Sequence, residues 1–223
     1  MNVKIEKTKI FLAGDSTVAN NPNSTYPQAG WGQMIGELLG ESIEVHNYAL
    51  NGRSTKSFID EGWLMKIKNE ISRGDYLFIQ FGHNDEKKED PTRYTEPFTS
   101  FKNNLKEYIG VAKNKEATPI LITPVNRRNF DEHGKIINTH KNYYEAMIEV
   151  AKETQTYVID LCKKSQILFE NYGYEKSKEL FMIFESGKYA NYPDGSRDNT
   201  HFNYFGAKKI AALVAEDLTK LNL

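Results

Sequence analysis

Apolar and polar positions along the chain form blocks that predict short strands separated by helices. Residues 75–82, "DYLFIQFG", are apolar and aromatic and end on a glycine, which is typical of a buried strand. Residues 31–40, "WGQMIGELLG", have apolar side chains at helical spacing and end on Gly40, a common helix stop. Further patterns of the same two kinds predict strands at 9–14, 43–49, 118–124 and 156–161, and helices at 54–72, 98–115, 139–153, 165–184 and 203–221.

The alternation of strands and helices predicts an α/β fold with a parallel sheet covered on both faces. No repeat, low-complexity tract or linker interrupts it, so residues 1–223 are predicted to form a single three-layer α/β/α domain. We expect five parallel strands in the flavodoxin-like order 2-1-3-4-5, which opens a ligand crevice at the carboxyl ends of the strands. Residues 186–201, "SGKYANYPDGSRDNTH", are predicted to be a loop.

Composition and charge exclude several functional classes. The net charge is −1 with both signs mixed throughout, which argues against a nucleic-acid partner. No apolar run approaches the ~20 residues of a membrane span. The only cysteine, Cys162, excludes an intramolecular disulfide and fits a reducing compartment. The opening "MNVKIEKTKIFLAG" lacks the uninterrupted apolar segment of a signal peptide, so we expect a cytoplasmic location, or secretion if a signal was removed. The sequence does not indicate the oligomeric state.

Three polar blocks follow the first three predicted strands. Ser16 lies in "AGDSTVAN", Gly52 in "YALNGRS" and Asn84 in "FGHNDEKK". In the strand order 2-1-3-4-5 these three loops converge on one crevice. A serine at such a place is a poor nucleophile unless an imidazole removes its proton and a third group holds that imidazole.

His201 is distinguished among the five histidines by its neighbour, because Asp198 lies three residues earlier in "DNTH". On a turn entering a helix, that carboxylate could reach one ring nitrogen and leave the other facing Ser16. Alternatively, Asp198, Asn199 or Thr200 simply caps the last helix.

Asn84 and Gly52 are candidates for an oxyanion hole. An amide donor and backbone N–H groups beside a nucleophile can bind the oxyanion of acyl transfer. Each block is also explained as a polar turn, so only the set of four blocks favours a catalytic site. The Gly-x-Ser-x-Gly elbow of α/β-hydrolases is absent.

Together these blocks resemble those of the SGNH, or GDSL-type, hydrolase superfamily, and more closely those of rhamnogalacturonan acetylesterases. The resemblance also includes "GWGQ", "GDYLFIQFGHNDEKKEDPTRYT", "LITPVNRRNFDEHGKI" and "LFMIFESGKYANYP". It implies a three-layer α/β/α fold and hydrolysis of acetyl esters in pectin without metal or cofactor. It also implies that Ser16 is the nucleophile, His201 the base and Asp198 its orienting group, with Ser16, Gly52 and Asn84 forming the oxyanion hole.

An acetylated pectic oligosaccharide is the expected substrate, and acetylated xylan or homogalacturonan are alternatives. Tentative substrate contacts are Arg53, Trp63, His83, Tyr192 and Asp194, each equally explained by packing or solvation. Tyr192 and Asp194 are the preferred rim residues, since they precede the catalytic loop. Arg127 and Arg128 could meet an acidic galacturonate, although paired arginines on a loop are usually solvated.

Two other functional classes remain open from the sequence. A metal-dependent phosphoesterase would need several ligands at one place; the candidates are Asp15, His83, Asn84, Asp85 and His201. A non-catalytic carbohydrate-binding module would retain the fold without the activity.

Overall fold

The computed structural model describes residues 7–219. Its strands are β1 (Thr8–Gly14), β2 (Ile43–Asn47), β3 (Tyr76–Gln80), β4 (Thr118–Ile122), β5 (Tyr157–Ile159), β6 (Phe181–Phe184) and β7 (Ser196–Phe202). Its α-helices are α1 (Trp31–Met34), α2 (Thr55–Asp60), α3 (Trp63–Glu70), α4 (Lys102–Asn114), α5 (Lys141–Thr154), α6 (Leu161–Lys176) and α7 (Tyr204–Leu218). Within residues 7–219, no helix combines the length and apolar character that a bilayer crossing needs.

The main sheet is parallel and has the order β2-β1-β3-β4-β5, so the predicted fold class and strand order are confirmed. Successive side chains of β1 enter opposite apolar layers: Ile10 and Leu12 pack in one, Phe11 and Ala13 in the other. Alternating burial on two covered faces explains why this strand is apolar at nearly every position. The extent of the domain, 1–223, stays a prediction because residues 1–6 and 220–223 lie outside the described chain.

The predicted helix at 31–40 is shorter and less regular than expected. Only Trp31–Met34 is α-helical; Ile35–Leu38 forms a 3₁₀ helix, and Leu39 is already extended. A glycine within a helix costs about 0.5–1 kcal/mol relative to alanine, and Gly36 lies at this change of geometry.

The predictions at 165–184 and 186–201 are wrong at their ends, because both segments contribute to a second, antiparallel sheet. Helix α6 ends at Lys176, and the apolar run Phe181–Phe184 is β6, which pairs with β7. A short apolar run does not by itself distinguish a strand from a buried helix turn. Here the partner strand decides, and six of its seven residues lie in the predicted loop.

Helix α7 begins after Asn203, whose side chain accepts a hydrogen bond from the Gly206 N–H at 3.0 Å. Asn203 is therefore the cap of this helix. The alternative that Asp198, Asn199 or Thr200 serves only as a cap is wrong. Residues 220 and 221 of the predicted helix lie outside the described residues.

Candidate active site

Ser16 lies in a tight turn directly after β1. The N–H groups of Val18 and Ala19 both donate to the Asp15 carbonyl, at 3.1 and 3.0 Å. The "GWGQ" block packs against this turn: a Cβ on Gly30 would lie 2.4 Å from the Val18 carbonyl carbon. Only glycine permits so close a backbone approach, so the turn and the start of α1 hold one another in place.

A chain of buried hydrogen bonds supports the turn on its interior side. Trp31 Nε1 donates to Gln80 Oε1 at 2.8 Å, and Gln80 Nε2 donates to Thr17 Oγ1 at 2.6 Å. Thr17 Oγ1 in turn donates to Asp15 Oδ1 at 2.8 Å. Satisfied buried networks of this kind rigidify the groups they connect, here the two residues on either side of Ser16.

Asp198 and His201 lie on β7, rather than on a turn entering a helix as the sequence suggested. Phe181 pairs with Phe202, but the next residue of β6, Met182, pairs with Asp198. Residues 199–201 therefore have no partner across the ribbon and form a bulge. Asp198 Oδ1 closes the bulge by accepting from the N–H groups of Thr200 and His201, at 2.7 and 3.0 Å.

The bulge brings three predicted catalytic side chains together. His201 Nδ1 lies 2.6 Å from Asp198 Oδ2, and His201 Nε2 lies 2.9 Å from Ser16 Oγ. Burial would raise the pKa of Asp198, but the hydrogen bonds and charge of His201 and the N–H of Thr200 outweigh it and hold that pKa below its usual value. An ionised Asp198 can fix the His201 tautomer that accepts a proton from Ser16.

The loops after β2 and β3 bring Gly52 and Asn84 to the same edge of the sheet. The Leu50 N–H donates to the Gly14 carbonyl at 3.1 Å, and Asn84 Nδ2 donates to the Arg53 carbonyl at 3.0 Å. Gly52 has a φ of +78°, which favours glycine. Within residues 7–219, the N–H groups of Ser16 and Gly52 have no acceptor. One N–H of the Asn84 amide is likewise left over, so three donors are available to an oxyanion.

Arg93 is a residue of the site that the sequence did not identify, although it lies in the quoted block "EDPTRYT". Its Nη1 lies 3.4 Å from Asn84 Oδ1 and 3.7 Å from the point that a Cβ of Gly52 would occupy. Its Nε is held by Asp90 Oδ2 at 2.6 Å. A cation prefers the oxygen of an amide to its nitrogen, so Arg93 orients the Asn84 side chain with Oδ1 toward the guanidinium. The Asn84 Nδ2 donor then faces the Arg53 carbonyl and the crevice.

Asp85 is fully buried and anchors the Asn84 loop. Its carboxylate accepts from Thr55 N and Oγ1, at 3.1 and 2.5 Å, and from Thr95 Oγ1 at 2.9 Å. Burial raises the pKa of Asp85 to about 7. The hydrogen bonds from Thr55 and Thr95 oppose this rise, whereas the negative charge of nearby Asp15 adds to it. The sequence had suggested Asp85 only as a metal ligand.

His83 lies behind the Ser16 turn, only 3% exposed. Its Nδ1 is 3.3 Å from Asp15 Oδ2, and its ring is 4.2 Å from the His140 ring, centroid to centroid. Burial would raise the pKa of Asp15, but His83 and Thr17 together lower it. His140 Nδ1 meets Glu86 Oε2 at 2.9 Å, and burial lowers the pKa of His140 to about 4. This placement corrects the suggested substrate contact: His83 contacts side chains beneath the site.

The other suggested substrate contacts are dispersed around the site. Arg53, beside Gly52, pairs with Glu61 at 3.0 Å, while Trp63 donates to the same carboxylate at 3.1 Å. The Tyr192 hydroxyl donates to the Thr25 carbonyl at 3.2 Å. Burial and the charge of Asp198 raise the pKa of Tyr192. Asp194 is exposed. Substrate contact by these four residues stays a prediction.

Arg127 and Arg128 are structural rather than solvated. Arg127 Nη2 pairs with Glu86 Oε1 at 2.5 Å. Arg128 is 5% exposed and donates to Ser177 Oγ at 3.0 Å and to Asn199 Oδ1 at 3.2 Å.

The proposed metal ligands do not converge. Among the described residues, no three His, Cys, Asp or Glu side chains are grouped to hold a metal ion. His201 pairs with Asp198, and Asp85 is bound by two threonines. The geometry gives no support to the phosphoesterase alternative.

Comparisons with known proteins identify relatives of the chain. Residues 10–214 match the GDSL-like lipase/acylhydrolase family. The chain is 47% identical to the rhamnogalacturonan acetylesterase RhgT of Bacillus subtilis (strain 168), over 96% of this chain and 91% of that protein. It is 45% identical to the probable rhamnogalacturonan acetylesterase YesY of the same organism, over 96% of this chain and 94% of the relative.

Solved structures show the same fold. The crystal structure of YxiM from Bacillus subtilis superposes with a TM-score of 0.84 at 31% identity, covering 97% of this chain and 57% of that one. The chain thus spans little more than half of YxiM. Axe2, an acetylxylan esterase from Geobacillus stearothermophilus, has a TM-score of 0.68 at 15% identity, over 97% of this chain and 96% of its own; this likeness concerns the fold alone. By sequence and by fold, the chain belongs to the GDSL-like lipase/acylhydrolase family of esterases, and its relatives include rhamnogalacturonan acetylesterases.

Proposed function

We propose that this esterase removes acetyl groups from pectic rhamnogalacturonan oligosaccharides by a serine acyl-enzyme mechanism. The observation that carries the mechanism is the contact of His201 Nε2 with Ser16 Oγ at 2.9 Å, on a ring whose other nitrogen meets Asp198. A nucleophile, a base and an orienting carboxylate in hydrogen-bond contact are the elements that serine esterases need.

In the first half-reaction, Ser16 Oγ attacks the acetyl carbonyl carbon while His201 Nε2 takes the hydroxyl proton. The carbonyl π electrons move to oxygen, and the oxyanion is bound by the Ser16 N–H, the Gly52 N–H and the Asn84 amide. When the tetrahedral intermediate collapses, the bond to the sugar oxygen breaks. That oxygen receives the proton from His201, which leaves acetyl-Ser16 and a free sugar hydroxyl.

In the second half-reaction, water attacks the acetyl carbon and gives one proton to His201 Nε2. Collapse of this intermediate breaks the bond to Ser16 Oγ, which takes the proton back from His201, and acetic acid leaves and loses its own proton to the solvent to become acetate. Asp198 stays ionised throughout, stabilises the imidazolium and keeps Nε2 toward Ser16.

The substrate proposal is supported by relatives rather than by the triad. RhgT is named a rhamnogalacturonan acetylesterase and shares 47% identity over nearly the whole chain. On this basis we propose an acetylated rhamnogalacturonan chain as substrate, with Arg53, Trp63, Tyr192 and Asp194 as candidate contacts, the last two on the rim. Acetylated xylan and homogalacturonan are the alternatives.

The decisive assay compares acetate release from acetylated rhamnogalacturonan oligosaccharides, acetylated homogalacturonan, acetylated xylan and 4-nitrophenyl acetate. It is run with the wild type and with Ser16→Ala. Release that is fastest from rhamnogalacturonan and absent in the variant supports the whole proposal. Release that persists in folded Ser16→Ala overturns the mechanism, and faster release from another polymer overturns the substrate. Sugar binding without any release would favour the non-catalytic module.

We also propose a cytoplasmic location, since the single cysteine, Cys162, is free and buried and requires no oxidising compartment. Fractionation of the native host, with an antibody to the protein, tests this directly.

A further inference from the structure

A cavity of about 530 Å³ lies on the β6–β7 ribbon, beside the bulge that carries Asp198 and His201. Its walls come from the loop after β4, the end of α6 and the ribbon itself. Asn199, which lines it, directly follows Asp198 in the chain. None of the residues that line the cavity has a role in the mechanism proposed above.

The cavity is strongly cationic. Arg128, Lys178, Lys188 and Arg197 line it, against one carboxylate, Glu185. Two of the four cations are neutralised: Arg197 pairs with Glu185 at 2.7 Å, and Lys178 pairs with Glu175, outside the cavity, at 2.7 Å. Within residues 7–219, neither Arg128 nor Lys188 pairs with a carboxylate: Arg128 bonds neutral acceptors, and the Lys188 ammonium lies over the Tyr189 ring.

Arg128 is the more informative of these two cations, because its guanidinium is buried. A buried charge is costly unless an opposite charge or a full set of hydrogen bonds compensates it. Its three protein acceptors, Ser177 Oγ, Asn199 Oδ1 and the Tyr174 carbonyl, are all neutral. A guanidinium has five N–H groups, so two remain without an acceptor in the described chain. An anion in the cavity would satisfy them.

A second cavity of about 320 Å³ adjoins the first and shares four wall residues with it, Lys178, Ile183, Phe184 and Lys188. Aromatic rings make up much of the wall of this second cavity, which also contains one carboxylate, Glu179. Tyr26, Tyr204 and Phe205 are 52%, 41% and 47% exposed. Exposed rings beside cations are suited to a ligand that has both pyranose faces and a carboxylate, since a sugar ring packs on an aromatic face and the carboxylate meets the cation.

We propose that these two adjoining cavities, the β6–β7 groove, bind an acidic oligosaccharide, with a uronate carboxylate held by Arg128 and Lys188 and neighbouring sugar rings on the aromatic wall. This inference rests on the proposed function, since it assigns a place to acidic sugars of the same substrate chain. Arg128 also donates its backbone N–H to the Asn199 carbonyl at 2.8 Å. A sugar held here would therefore contact the residue that fixes the catalytic bulge.

Binding of unacetylated trigalacturonate tests the groove without requiring any ester hydrolysis. Isothermal titration calorimetry at low salt is expected to show binding to the wild type and none of neutral galactotriose. Lys188→Gln is expected to weaken binding about 5–10-fold, and Lys188→Arg to restore it. Glu185→Gln, which frees Arg197, is expected to tighten it about 2–5-fold. Lys163→Gln, an exposed lysine at the start of α6, is the matched control and should bind as the wild type does.

Three results would overturn the proposal: trigalacturonate does not bind, galactotriose binds with the same affinity, or Lys188→Gln and Lys163→Gln bind trigalacturonate equally well. Displacement of trigalacturonate by an equal concentration of phosphate or acetate would make this a simple anion site instead. Turnover of 4-nitrophenyl acetate should be unchanged in Lys188→Gln. Failure of binding in an enzyme that still releases acetate contradicts only the groove, whereas binding without acetate release contradicts only the proposed function.

Discussion

Asp198 and His201 lie three positions apart on one strand, yet a carboxylate oxygen and a ring nitrogen meet at 2.6 Å. In a regular strand, residues at that spacing point to opposite faces of the sheet. The bulge at 199–201 removes this alternation, because Met182 pairs with Asp198 and Phe181 with Phe202. Bulges are known to redirect side chains next to active sites, and here one assembles the base.

The Asp198–His201 pair predicts the effect of Asp198→Asn. An asparagine can still accept from the N–H groups of Thr200 and His201, so the bulge should persist. Its amide N–H facing Nδ1 would favour the tautomer with a proton on Nε2, which cannot accept from Ser16. We expect kcat for 4-nitrophenyl acetate to fall on the order of 10³–10⁴-fold with an unchanged melting temperature. A loss of less than about tenfold would contradict the assigned role.

Removal of the Asn84 amide tests the oxyanion hole. Asn84→Ala should lower kcat by about 10²–10³-fold while KM changes little, because the donor acts on charge that develops in the transition state. Arg93→Ala should give a smaller loss, since it frees the Asn84 amide to rotate without deleting it. Steady-state kinetics of both variants check this order. If KM instead rose equally in both variants while kcat was retained, Asn84 and Arg93 would contribute to substrate binding in the ground state and not to the oxyanion hole.

The close approach of Gly30 to the Ser16 turn predicts a steric effect on catalysis. An alanine Cβ there would lie 2.4 Å from the Val18 carbonyl carbon and 2.5 Å from the Ala19 oxygen. We expect Gly30→Ala to lower the free energy of unfolding by about 1–3 kcal/mol and to reduce kcat as Ser16 shifts. Gly110→Ala is the control, because nothing lies within 4 Å of its added methyl on α4; it should be neutral or stabilise by about 0.5–1 kcal/mol. Urea unfolding curves measure both.

The raised pKa of Asp85 predicts a dependence of stability on pH. Its folded pKa, about 7, lies above the unfolded value near 3.9. The contribution of protonated Asp85 to the free energy of unfolding is therefore fully present below about pH 4. It is lost as the pH rises from about 4 through about 7. Asp85→Asn should abolish this loss, so the wild type should become less stable relative to the variant between pH 4 and 7, by a few kcal/mol.

Chemical denaturation at several pH values measures this difference, and the exposed Asp60→Asn variant controls for the change of net charge. A wild-type-to-variant difference that does not vary with pH would show that Asp85 is ionised throughout the range. In that case the hydrogen bonds from Thr55 and Thr95 outweigh the cost of burial.

Periodicity and strand-end glycines were enough to predict the strands of the parallel sheet, because each β strand is a local apolar run bounded by turn residues. Their order followed from the flavodoxin-like arrangement expected for such a fold, and the structure confirms it. Ser16, Gly52, Asn84, Asp198 and His201 could be singled out because they lie in short polar blocks at strand ends and before the last helix, but their roles came from the family resemblance of the whole set. What periodicity could not reveal was the β6–β7 pairing. The run "LFMIF" is compatible with helix or strand, and its partner "SRDNTHF" has no apolar alternation.

The tertiary structure alone decided the contacts made over long separations in sequence. The contacts of the Asp85 carboxylate, the tilted contact of the His83 and His140 rings and the Arg93–Asn84 contact depend on loops that meet at the sheet edge, and no local pattern specifies such meetings. Arg128 shows the difference most clearly: in the sequence it is one of two arginines on a loop, whereas in the fold it is buried against the catalytic bulge. The residue types in each polar block were determined by the sequence itself, but burial, charge partners and the bulged register follow only from packing of the whole chain.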